Sequence, residues 1–125
     1  MVRVAFAHDA VVRMEPGADL TAPGGAVTLA LCGAFAHPPP CPLAPHATRA
    51  DRCGDEPDHL RVAVRVLFAA EPDAEAAVRA RIDGALAGGV CDGPDGTRTR
   101  WTLVTSAPAA VTEAENAHAA RLVAT

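Results

Sequence analysis

The residues of this chain best suited to chemistry fall in one short stretch, Cys32-x4-His37-x3-Cys41-x4-His46. Two thiolates and two neutral imidazoles are the ligand set of a closed tetrahedral zinc site, and soft sulfur with imidazole also suits monovalent copper. Residues 32–59 hold three of the four cysteines and three of the five histidines, which adds Cys53 and His59 as substitute ligands. Six of the eleven prolines lie here too. They narrow the unfolded ensemble, so a loop closing round an ion loses less freedom. The spacing itself argues the other way. Thiols and imidazoles alternate, and the Cys-x-x-Cys pair usual in zinc modules is missing. A redox reading joins Cys41 and Cys53 in a reversible disulfide, with Arg49 and Arg52 favouring the thiolate. Asp51, Asp55, Glu56 and Asp58 oppose it and leave His37 to His59 at net -2.

Arginine supplies the second chemistry. All 11 basic residues are arginines, and the net charge is -4. Five of them (Arg13, Arg61, Arg65, Arg98 and Arg100) fall in segments with strand-like alternation, against Glu15 alone, so the sheet carries +4 and the remainder -8. On that alternation Arg61 and Arg65 share a face, as do Arg98 and Arg100. Guanidinium groups there bind carboxylate or phosphate bidentately, or meet an acidic patch on a second subunit. The bland alternative is a solvated face whose long side chains shield backbone. Nucleic acid is not expected. The total charge is acidic, there is no tyrosine, and Trp101 has the opposite parity from the arginines.

Catalytic constellations are weak. His8-Asp9 are adjacent and point apart on an extended chain. Glu115-x-x-His118 has the spacing of helical carboxylate–histidine metal sites, but in a single copy. Ser106 lacks the Gly-x-Ser-x-Gly frame of a nucleophile elbow. No nucleophile, base and orienting group can be assembled from these spacings, and an enzyme is not the expectation.

These side chains must be positioned by a small scaffold. Its 125 residues fit one domain, residues 1–125, with a Pro/Cys/His-rich insertion at about 36–59. Alternation predicts strands at Val11–Glu15, Ala26–Phe35, Leu60–Ala69 and Arg98–Ser106. Helices are predicted from Pro72 to the Gly88-Gly89 stop, on the stripe Val78, Ile82 and Leu86, and from about Val111 to Val123, opened by the capping box Thr112-x-x-Glu115. The order β-β-β-α-β-α implies an α+β two-layer sandwich, a four-stranded mixed sheet with two helices on one face. With 29 alanines the core must be thin.

No apolar run is long enough for a membrane span, and the first residues lack the apolar segment of a secretory signal, so the default compartment is cytoplasmic. There, cysteines are expected as thiols or ligands rather than disulfides. The sequence therefore points first to a small cytoplasmic domain whose insertion coordinates zinc or copper, for structure or sensing. Its alternative is a metal-free homodimeric interaction module using the arginine-bearing face (Arg61, Arg65, Arg98, Arg100). A third reading is a small enzyme with His118 or a loop histidine as acid/base.

Overall fold

In the computed structural model the described residues are 2–33 and 44–125. They form β1 (Val4–Met14), α1 (Ala22–Cys32), β2 (His46–Glu56), β3 (His59–Ala70), α2 (Glu75–Gly88), β4 (Val90–Asp92), β5 (Arg98–Ala109) and α3 (Asn116–Ala124). Short 3-10 turns at Pro72–Ala74 and Glu113–Glu115 lead into α2 and α3. The strands make one curled half-barrel sheet in the order β2-β3-β1-β5-β4, and every pairing is antiparallel.

This corrects the four-stranded mixed sheet. The α+β class stands, but the sheet has five strands, and the helices lie on both of its faces. α1 and α2 cover one face through Val27, Leu31, Val78, Ile82 and Leu86, packed on Val12, Met14, Val62, Val64, Val66 and Phe68. α3 covers one end of the other face, where Ala119 meets Ala7 and Leu67. The two outer members of β1-α1-β2 run in the same direction with β3 between them. In β3-α2-β5 it is β1 that separates them. The two units therefore interlock.

Of the predicted strand Ala26–Phe35, residues 26–32 are instead helical, in α1, and Ala34 and Phe35 lie outside the described residues. Val27, Leu29 and Leu31 alternate, but the residues that become buried include Pro23, Val27 and Leu31, spaced by four. Local chemistry supports the helix. The Asp19 carboxylate accepts from the Thr21 N–H at 2.9 Å and hydroxyl at 2.6 Å, Pro23 sits in the first turn, and Gly33 ends it in the left-handed region at φ 79°. Gly24 lets α1 approach β2, because a Cβ there would lie 2.7 Å from Thr48 Oγ1.

The predicted first strand begins at Val4 rather than Val11, and its inward face continues through Phe6, His8 and Ala10. β2 arises inside the insertion. Its sequence is mostly charged or small because it pairs only with β3 and forms the sheet edge. β4, which the sequence leaves as loop, is a three-residue partner for Arg98–Arg100. Trp101 closes the core at that end, its Nε1 donating to the Leu86 carbonyl at 2.8 Å. Among the described residues no helix is long and apolar enough to cross a membrane.

Candidate functional site

The four residues of the predicted metal set are not shown together. Cys32 closes α1 and His46 opens β2, whereas His37 and Cys41 lie outside the described residues. Cys32 is disulfide-bonded, contrary to the expectation of free thiols, and in that form it offers no thiolate. Its Sγ lies 3.6 Å from His46 Nδ1. His46 braces α1 against β2: Nε2 is 3.0 Å from Thr28 Oγ1, and Nδ1 is 3.2 Å from the Ala44 carbonyl. The Thr28 hydroxyl also donates to the Gly24 carbonyl at 3.1 Å, which ties it into the first turn of α1. Both imidazole nitrogens serve the fold.

The substitute ligands also lie apart. Cys53 is a free, exposed thiol at the bulge where the β2–β3 register shifts between Arg52 and Gly54. His59 Nδ1 lies 2.9 Å from the Asp58 carboxylate. Among the described residues no three His, Cys, Asp or Glu side chains are grouped closely enough to hold a metal ion.

A polar cluster the sequence does not reveal sits where β1, β5 and α2 meet. His8 is buried, with Nε2 3.1 Å from Asp83 Oδ1 and 2.8 Å from Ser106 Oγ, while the Ser106 hydroxyl donates to Asp83. These are the residue types of a hydrolytic triad, but the connectivity differs. A triad histidine uses one nitrogen for serine and the other for the carboxylate. Here both lie on Nε2, and Nδ1 faces the Arg79 guanidinium at 3.0 Å. Arginine can only donate, so Nδ1 accepts and the proton resides on Nε2. No basic nitrogen is left to activate Ser106.

Burial lowers the His8 pKa most; Asp83 opposes that and Arg79 reinforces it. Arg79 is itself fixed by Glu75 at 2.7 Å, by the Ala7 carbonyl at 2.7 Å, and by the rings of Phe6 and Phe68. The cluster joins α2 to the sheet. The adjacent pair His8-Asp9 splits across the two faces, as alternation requires, and Asp9 belongs to a different network.

That network settles the sheet arginines. Four of the five Arg65 N–H donors are engaged: Nε and Nη2 grip the Glu115 carboxylate at 2.8 and 2.7 Å, Nη1 reaches Asp9 at 2.8 Å, and Nη2 reaches the Ala110 carbonyl at 2.6 Å. Glu115 also accepts from the Thr112 N–H at 2.9 Å, completing the capping box. These donors hold its carboxyl down at a pKa of about 2, the Arg65 bond contributing most. Arg65 therefore fastens the α3 segment to the sheet.

Arg98 is likewise taken, gripping Asp92 of β4 through Nε at 2.7 Å and Nη2 at 3.1 Å. Arg49 pairs with Asp51 at 3.1 Å. His118 is exposed, with Arg49, Arg65 and Glu115 around it in a groove of about 350 Å³. The buried residue of α3 is Ala119, not the stripe through His118.

Arg61 and Arg100 remain, and a third residue joins them. Arg13 is the direct cross-strand neighbour of Arg61, and it pairs with Thr102, two residues from Arg100 on the same face. The three guanidinium-bearing residues thus occupy adjacent strands at the end of the open face that α3 leaves bare. Arg13 and Arg100 share a shallow groove of about 370 Å³ with Glu15, His59 and Thr102. None of the three arginines has an ion pair or side-chain hydrogen bond among the described residues, in contrast with Arg49, Arg65 and Arg98.

Alternation set Arg13 opposite Val12 and Met14 on its own strand, but the expected arginine face was Arg61, Arg65, Arg98 and Arg100, without Arg13. What the sequence lacked was the strand order that seats it beside Arg61. Comparison with family models, with curated proteins and with solved structures finds no match to this chain.

Proposed function

We propose that the chain is an interaction module that engages a carboxylate-bearing surface through the bare arginine end of its open sheet face. The observation that carries this reading is the gathering of Arg13, Arg61 and Arg100 on three adjacent strands without a contact ion pair or side-chain hydrogen bond among the described residues. Like charges directly opposite in a sheet cost roughly 0.2–1 kcal/mol, so an incoming carboxylate removes a repulsion as well as forming charge-assisted hydrogen bonds. Rigid strands hold the forks in place, which lowers the ordering cost of binding.

The test is calorimetric titration with a hexaglutamate peptide at low salt and at 0.15 M salt. Wild type binds and weakens with salt, as exposed charge contacts require. The double variant R13A/R61A binds at least about tenfold more weakly, and R98A binds as wild type does. Equal affinity in R13A/R61A and wild type, or no binding by wild type that sediments as a monomer, overturns the reading.

A further inference from the structure

Resting on that reading, we propose that the acidic surface is supplied by a second copy of the chain. The two copies stack open face to open face with their strands antiparallel, about a two-fold axis that crosses β1 near Val11. Three features of the face select this occupant and this arrangement.

The first is charge. Among the described side chains of the bare end, Arg13, Arg61 and Arg100 stand against Glu15, a balance of +2. At the other end a groove of about 590 Å³ is lined by Asp9, Asp51 and Glu115 against Arg49 and Arg65, net -1, with the exposed Glu113 beside it. The face is therefore polar along its strands. A two-fold axis parallel to the strands would set each arginine end over the other and repel. An axis across the strands sets each arginine end over an acidic end. Arg13 lies two residues to one side of Val11 and Asp9 two residues to the other, so this axis brings Arg13 opposite the partner's Asp9. Such a self-complementary patch is what an isologous interface requires.

The second is shape. α3 stands above the sheet at the Ala7–Leu67 end only. Strand-parallel stacking would press one α3 against the other. The antiparallel arrangement seats each α3 beyond the bare arginine end of the opposite copy. The third is the floor between the two ends. Val11 is flanked in register by Ala63 and Thr105, side chains small enough for sheets to approach to about 10 Å.

The experiment measures mass by sedimentation equilibrium across protein concentrations, with circular dichroism to confirm folding. Wild type is a dimer, and 1 M salt shifts its dissociation constant at least about tenfold upward. R13E/R61E makes both ends acidic, and D51K/E113K makes both ends basic. Each variant alone is monomeric, and an equimolar mixture forms a one-to-one heterodimer. A dimer that R13E/R61E leaves intact, or a mixture that stays monomeric, overturns the arrangement. Monomeric wild type that still binds hexaglutamate through Arg13 and Arg61 overturns the second copy and keeps the interaction module. Monomeric wild type that binds no peptide overturns both.

Discussion

Replacing Glu115 by glutamine tests how the C-terminal helix is held to the sheet. The α3 segment buries little, Ala119 being its only buried described residue, so apolar burial alone cannot fix it. Its anchor is the carboxylate of Glu115, which takes two hydrogen bonds from Arg65 and others from the Thr112 N–H and hydroxyl. Both side chains of the ion pair are 15% exposed, which places it between a solvated surface pair worth about 0–1 kcal/mol and a fully buried one whose loss costs about 3–5 kcal/mol.

Glutamine keeps one oxygen for Thr112 but removes the charge and one acceptor. Arg65 retains Asp9 and the Ala110 carbonyl, so it is not orphaned. The expected loss is therefore about 2 kcal/mol, or a fall of roughly 6–10 °C in Tm for a domain of this size. The pH dependence gives an independent check. The Glu115 pKa is lowered from 4.5 to about 2 in the folded chain, so its stabilisation is present above pH 4.5 and is lost as pH falls through 2. Thermal melts followed by circular dichroism should show wild type and E115Q separated at pH 7 and converging towards pH 2. A variant that melts with wild type at pH 7, or a gap that persists unchanged to pH 2, would refute the anchoring role.

Further expectations follow from the buried cluster and from two glycines. Burial and Arg79 depress the His8 pKa, so the unfolded chain takes up a proton first as pH drops below 6.5. Stability should decline from that point downward, and H8Q should flatten this part of the profile in denaturant titrations; an unchanged slope would argue against a buried neutral His8 imidazole. Gly89→Ala should cost at least about 2 kcal/mol, because φ is +69° and the new Cβ would lie 2.6 Å from the Trp101 carbonyl oxygen. Gly84→Ala in α2 meets nothing within 4 Å and should stabilise by about 0.5–1 kcal/mol. Opposite signs in urea titrations are the outcome to look for.

Much of the core was legible in the sequence because burial writes a period into it. Leu60, Val62, Val64, Val66 and Phe68 are all buried on one face, and so are Val78, Ile82 and Leu86 on one helical stripe. The capping box at Thr112 and Glu115 was readable for the same local reason. Where period and context conflict, the reading failed. Val27, Leu29 and Leu31 satisfy a strand pattern equally well, and only the Thr21, Pro23 and Gly33 signals decide for a helix. β2 carries few apolar residues because an edge strand shares less of the core, so no alternation announced it. The fate of the arginines was illegible for another reason. Parity gives their face, but Arg65 is neutralised by Asp9 and Glu115, 56 and 50 residues away. Only the strand order tells which cations find partners and which remain bare.

The interlocked sheet also constrains how this chain comes to be folded. β1 lies at the centre, pairing Val4 with Ala70 on one side and Ala7 with Ala109 on the other. It is synthesised before the other strands yet has no sheet neighbour until β3 is made, and it stays open on one side until β5 follows. Contacts so distant in sequence carry a large loop-closure cost, which slows folding relative to helical domains of equal size. During that interval an apolar strand holding Phe6, Val12 and Met14 is exposed to other chains. Synthesis rate and chaperone capacity should therefore govern its yield, more than its final stability does.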